Sequence, residues 1–85
     1  MRPAIIVSND AFNKAMNRVQ VIPLTSNTSK CYPCECYVEV DGKMSKAMAD
    51  QIATVSKIRL KTKLGNISNQ NAQAVARIIK IQLNL

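Results

Sequence analysis

The sequence predicts an α+β domain: a strongly curved, mostly antiparallel sheet or small barrel, closed by a terminal helix. Three observations carry that expectation. Short apolar runs rich in β-branched residues are separated by turn residues. One segment, 34–40 (CECYVEV), alternates strictly and ends in Asp41-Gly42. The C-terminal stretch carries helical periodicity behind a capping serine.

Taken in order, PAIIVS (3–8) is a short β-branched apolar run that reads as a buried strand. NDAFNKAMN (9–17) opens with cap and turn residues and then places Phe12 and Met16 four apart, which predicts a short helix. RVQVIPLT (18–25) returns to strand character, and Pro23 belongs near its end because a central strand cannot lose that donor. SNTSK (26–30) is a polar loop. In the alternating strand, Cys34, Cys36, Val38 and Val40 share one face, and Glu35, Tyr37 and Glu39 the other. Asp41-Gly42 signals a tight turn. Residues 44–56 are ambiguous between strand and helix, with a strand favoured around 52–55. KLGNIS (63–68) reads as a last short strand in which Gly65 marks a bulge or close approach. Ser68 then caps a helix with Ala72, Val75, Ile79 and Leu83 on one face and Ile78 beside it.

Length and composition bound the rest. Eighty-five residues make one domain, 1–85, with a single modest core. No apolar run is long enough to span a bilayer or to form a secretory signal, so a cytoplasmic protein without membrane contact is expected. Twelve basic and five acidic side chains leave a net charge of +7, which favours an anionic partner. Lys57, Arg59, Lys61 and Lys63 alternate along KIRLKTK. The plain reading is a solvated face, but the lopsided charge tilts it towards phosphate binding. Phe12, Tyr32 and Tyr37 are the only aromatic residues, too few for a broad base-stacking platform.

The chemistry on offer is narrow. With no histidine there is no Ser-His-Asp triad, Cys-His pair or imidazole ligand, and two glycines make no phosphate loop. CYPCEC (31–36) gathers all three cysteines, but three sulfurs fall short of a structural zinc unless Asp41 or a second subunit adds a ligand. The second cysteine of Cys31-x-x-Cys34 begins a strand rather than a helix, the wrong setting for a redox pair. Cys34 and Cys36 are therefore expected to pack inward as small hydrophobes, and no metal or cofactor is expected. Arg2 precedes the first strand and Thr25-Ser26 ends the second. Were those strands neighbours, an arginine and a hydroxyl would meet where a phosphate could be held. By spacing alone, a solvated arginine and turn chemistry remain the plainer reading.

Five pieces in order change that balance: RPAIIVSND, VIPLTS, YPCECYV, MADQIATVSKIRL, and LGNIS before a capped helix. Together they resemble the MazF/PemK (Kid-like) toxins, the ribonuclease halves of bacterial toxin–antitoxin pairs. The resemblance implies a small SH3-like, CcdB/MazF-type barrel with helices outside and a homodimer as working form. It also implies an mRNA interferase: an endoribonuclease that needs no metal and cuts single-stranded RNA by attack of a ribose 2′-hydroxyl, leaving a cyclic phosphate. The expected partners are RNA and a MazE-like antitoxin. Arg2 falls on the family's catalytic arginine and Thr25 on its catalytic threonine. Ser26, Asp50, Gln51, Lys57, Arg59 and Lys61 are expected to contact RNA. The usual first strand, of the Gly-Asp-Ile-Val-x-Val-Asp type, would precede the Arg-Pro motif. Here Met1 stands directly before it, so an unpaired strand edge is expected. In the same comparison Cys34 replaces an aromatic residue, and Met44 or Met48 is expected to fill the lost volume. Two rival readings are a truncated, inactive relative that binds RNA or antitoxin, and a CcdB-like topoisomerase poison. The Arg-Pro and Pro-x-Thr pieces argue against the second.

Overall fold

The computed structural model describes residues 3–60 and 65–85. The elements run β1 (Ala4–Ile6), α1 (Asp10–Ala15), β2 (Arg18–Thr25), β3 (Glu35–Val40), β4 (Lys43–Met48), a 3-10 turn at Ala49–Gln51, β5 (Ala53–Ser56), a second at Lys57–Arg59, and α2 (Asn69–Leu83). The five strands form a curled antiparallel sheet in which β2 pairs with β1, β4 and β5, and β4 in turn with β3.

β2 is the spine of this half-barrel. Its first four residues pair with β5, Arg18 opposite Ser56 through Val21 opposite Ala53, and its last two pair with β4. Pro23 stands between those stretches. Donors alternate along a strand, and Leu24 gives its N–H to Pro3 of the β1 side, so residue 23 faces the other flank. There β5 has ended and β4 has not begun, and the missing N–H costs no ladder bond. Pro23 thus lies two residues from the end of this central strand, as expected, where its missing donor is tolerated.

Asn9 caps α1 by accepting from the Phe12 N–H, and the short helix expected within 9–17 runs from Asp10 to Ala15 with Met16 as its C-cap. β3 and β4 meet at Asp41-Gly42, where both residues have positive φ (53° and 78°), the tight hairpin turn that this dipeptide favours. The ambiguous 44–56 region resolves into β4 and β5 around the Ala49–Gln51 turn. MSKAM shows no apolar alternation, and pairing with β3 overrides its helix-forming residues.

Two expectations need correction. β1 is not a buried strand: Ala4 and Ile6 are exposed, and among the described residues β1 pairs with β2 alone. An apolar groove therefore opens between Ile5, Ile6 and Val7 and the α2 residues Val75 and Ile79. Residues 65–68 are not a strand, because Ser68 is committed to capping α2 and Gly65 has φ 146°. Nor is Gly65 a close approach, since nothing lies within 4 Å of where its Cβ would stand. Residues 63 and 64 of that expected strand lie outside the described residues.

The core joins Ile22 and Leu24 of β2, Cys36 and Val38 of β3, Ala47, Ala49, and Val75 and Ile78 of α2. The inward stripe of α2 is Asn71, Ala74, Val75, Ile78 and Ile79, rotated from the expected one, while Ala72 and Leu83 are exposed. Fifteen residues barely hold a helix in water. Full burial of Ile78, worth roughly 1.5–3 kcal/mol, and the Ser68 cap are what fix it.

Candidate RNA-cleavage site

The register of three strands sets two rows of side chains at one end of the sheet. Leu24, Ala47 and Cys36 lie side by side and point into the core. The next row, Thr25, Lys46 and Tyr37, therefore points to the opposite face. The 26–34 loop folds over that second row. The Tyr37 hydroxyl donates to the Thr28 carbonyl at 2.8 Å, and Lys46 Nζ donates to the Lys30 carbonyl at 2.7 Å. Glu35, also on this face, accepts the Tyr32 N–H at 3.0 Å. Within the loop, Thr25 Oγ1 accepts the Asn27 N–H at 3.2 Å, and Asn27 Oδ1 accepts from the Ser29 N–H and hydroxyl.

Lys46 and Glu35 form an ion pair at 3.2 Å, with side chains only 9% and 10% exposed. The Tyr32 N–H and the Lys46 ammonium hold the Glu35 carboxyl below its ordinary value, against the opposing effect of burial. Neither residue was legible as a buried charge. Alternation set Glu35 facing outward, which is its correct face, but a loop covers that face. The available signal was one basic and one acidic residue on strands joined by a two-residue turn, with a polar loop entering beside them.

Thr25 is half-buried at the end of β2, with Ser26 exposed next to it. Across β1 and β2, the Pro3 carbonyl accepts the Leu24 N–H at 3.0 Å, so the Arg-Pro and Pro-x-Thr segments meet at one sheet end. Arg2 and Lys61 lie outside the described residues. Asp50 and Gln51 are exposed in the 3-10 turn after β4, which packs against β2 and α2, and Gln51 Nε2 approaches Met48 Sδ at 3.6 Å. Lys57 and Arg59 are not gathered with Thr25. They follow Ser56, opposite Arg18, and the Lys57 N–H binds the Asn17 carbonyl. The length of β2, roughly 23 Å, separates them from the threonine.

The cysteines are free: Cys31 exposed, Cys34 half-buried and Cys36 buried. Cys36 packs inward as expected, whereas Cys34 does so only in part. Met44 is exposed, and Met48, though buried, stands opposite Glu35 on the face of Lys46 rather than that of Cys36, so the register does not bear out the expected filling by either methionine. Among the described residues, no three histidine, cysteine or acidic side chains converge on a point where a metal could sit. No helix among them is long and apolar enough to cross a membrane.

The curled antiparallel half-barrel closed by a helix is shared with solved toxin structures. The chain belongs to the family of PemK-like, MazF-like toxins of type II toxin–antitoxin systems, whose profile matches residues 1–83. It is 32% identical over 96 residues to the endoribonuclease MazF9 of Mycobacterium tuberculosis, covering 99% of this chain and 79% of that one. It is 33% identical over 91 residues to the endoribonuclease MazF of Staphylococcus saprophyticus, covering all of this chain and 75% of the relative. A mycobacterial endoribonuclease solved in complex with its cognate antitoxin superposes with a TM-score of 0.90 at 26% identity, over 99% of this chain and 82% of that one.

Proposed function

We propose that this chain is the toxin of a toxin–antitoxin pair and acts as a sequence-specific endoribonuclease on single-stranded mRNA, held in check by a cognate antitoxin. The supporting observation is the β1–β2 register. Pro3, which follows Arg2 in sequence, is hydrogen-bonded to Leu24, the residue before Thr25, and this supports reading two motifs twenty-odd positions apart as one site.

In the proposed reaction the ribose 2′-oxygen forms a bond to the adjacent phosphorus as the bond to the 5′-oxygen breaks. The 2′-hydroxyl loses its proton and the departing 5′-oxygen gains one, leaving a cyclic phosphate and a free 5′-hydroxyl. Because the nucleophile is part of the substrate, the protein's task is to position the phosphate and stabilise its developing charge. The Thr25 hydroxyl hydrogen-bonds a phosphate oxygen, while Arg2 neutralises charge or protonates the leaving oxygen. Ser26, Asp50 and Gln51 line the approach, and Lys57, Arg59 and Lys61 hold RNA backbone farther out. A homodimer is part of the same proposal.

Incubation with a long single-stranded RNA in excess chelator, followed by analysis of the product ends, tests this reading. Fragments ending in 2′,3′-cyclic phosphate and 5′-hydroxyl are expected. Intact RNA, with binding to RNA or antitoxin retained, would overturn it in favour of a binding module.

A further inference from the structure

The grip on the 26–34 loop is a feature that the cleavage chemistry alone does not require. Three side chains from the outer face of the β3–β4 ladder hold three successive alternate positions of that loop: Tyr37 at Thr28, Lys46 at Lys30, and Glu35 at Tyr32. Lys46 is central to it. It stands directly opposite both Thr25 and Tyr37, is almost wholly buried, and bonds Glu35 and the Lys30 carbonyl together. A lysine buried in this way loses hydration that only well-placed partners restore, so its geometry is fixed rather than adaptable. The loop it fixes begins at Thr25 itself, whose hydroxyl accepts the Asn27 N–H. The loop also presents exposed Ser26, Ser29, Lys30 and Tyr32 on the threonine's side of the sheet. Hydroxyls, a cation and one aromatic ring are the groups that hydrogen-bond and stack on an unpaired base.

We infer that the Lys46–Glu35 pair is a positioning device that sets the 26–34 loop against Thr25, and that this loop selects the nucleotides beside the cleaved bond. The inference rests on the endoribonuclease reading above. Lys46 acts through the loop and does not touch the substrate, being enclosed by Glu35 and the Lys30 carbonyl.

The test uses the full chain as Lys46→Met, Lys46→Arg and the uncharged pair Glu35→Gln/Lys46→Met. The double variant keeps the test usable should the lone buried carboxylate of Lys46→Met prevent folding. Amide exchange is read at Asn27 and Tyr32, and kcat/KM on a preferred RNA and on RNAs changed at one nucleotide beside the cut. In Lys46→Met or the double variant, exchange at both amides is expected to quicken about tenfold or more, as for loss of a charged hydrogen bond. The preference between RNAs should narrow by a similar factor, with Lys46→Arg restoring part of it. Unchanged exchange overturns the inference whatever the activity. Quickened exchange with an unchanged preference overturns the selecting role. Absence of cleavage by the wild type overturns instead the endoribonuclease reading and the loop's selecting role, and leaves exchange to decide the grip.

Discussion

The Leu24 amide donates to the Pro3 carbonyl at 3.0 Å, and two residues along the same ladder Ile5 lies opposite Ile22. The contact that brings the two motif segments together is thus underpinned by one of the most deeply buried side chains of the domain, Ile22, at 0% exposure. Replacing Ile22 with alanine should cost about 2–5 kcal/mol, because the surrounding strands and α2 cannot collapse fully into the space left. Urea unfolding checks it: the midpoint should fall with little change in slope. Ile81, half exposed in α2, should tolerate the same change within about 0.5 kcal/mol.

The Glu35 carboxyl predicts an acid dependence. Its folded value is depressed below the ordinary 4.5, chiefly by the Tyr32 N–H and also by Lys46. The unfolded chain then binds more protons than the native one in the interval between the two values. The pair's contribution is present above the ordinary value and is lost as pH falls through the depressed one. Urea midpoints measured from neutrality down through about pH 3 should decline less steeply for Glu35→Gln than for the wild type. Equal slopes would show that the carboxylate is not held in this way.

Burial pushes the Cys36 thiol up, with the nearby Cys31 adding to the effect and Arg77 opposing it. Thiolate is the reactive form, so Cys36 should resist alkylation in the native protein and label only on unfolding, while exposed Cys31 labels first. Timed alkylation followed by peptide mass spectrometry reads the order. Equal labelling of Cys31 and Cys36 would place Cys36 outside the core.

How much of this was readable from the chain differs by element. The Asp41-Gly42 turn and the alternation of residues 34–40 were legible because each depends on local geometry, positive φ in one case and period two in the other. The Ser68 cap was legible for the same reason. β4 was not, because its pairing with β3 decides it while Ser45, opposite buried Val38, stands where a strand pattern would carry an apolar residue. Of the expected inward face of α2, Val75, Ile78 and Ile79 pack on the core while Ala72 and Leu83 do not, since 3.6-residue periodicity permits neighbouring stripes and only the sheet selects between them. At the candidate site, motif order rather than spacing singled out Thr25 as the residue to test. Lys46 and Glu35 were missed because a loop, not a strand or helix, covers them.

The central claim is that the Thr25 hydroxyl serves cleavage rather than the fold. Among the described residues it holds only the Asn27 N–H, a contact worth about 1 kcal/mol. The most direct measurement is the initial rate of RNA cleavage by Thr25→Ala beside the wild type, both shown to be folded by their urea midpoints. A rate lower by about 10²-fold or more, with the midpoint nearly kept, is the predicted result. Cleavage by Thr25→Ala at the wild-type rate would contradict the account.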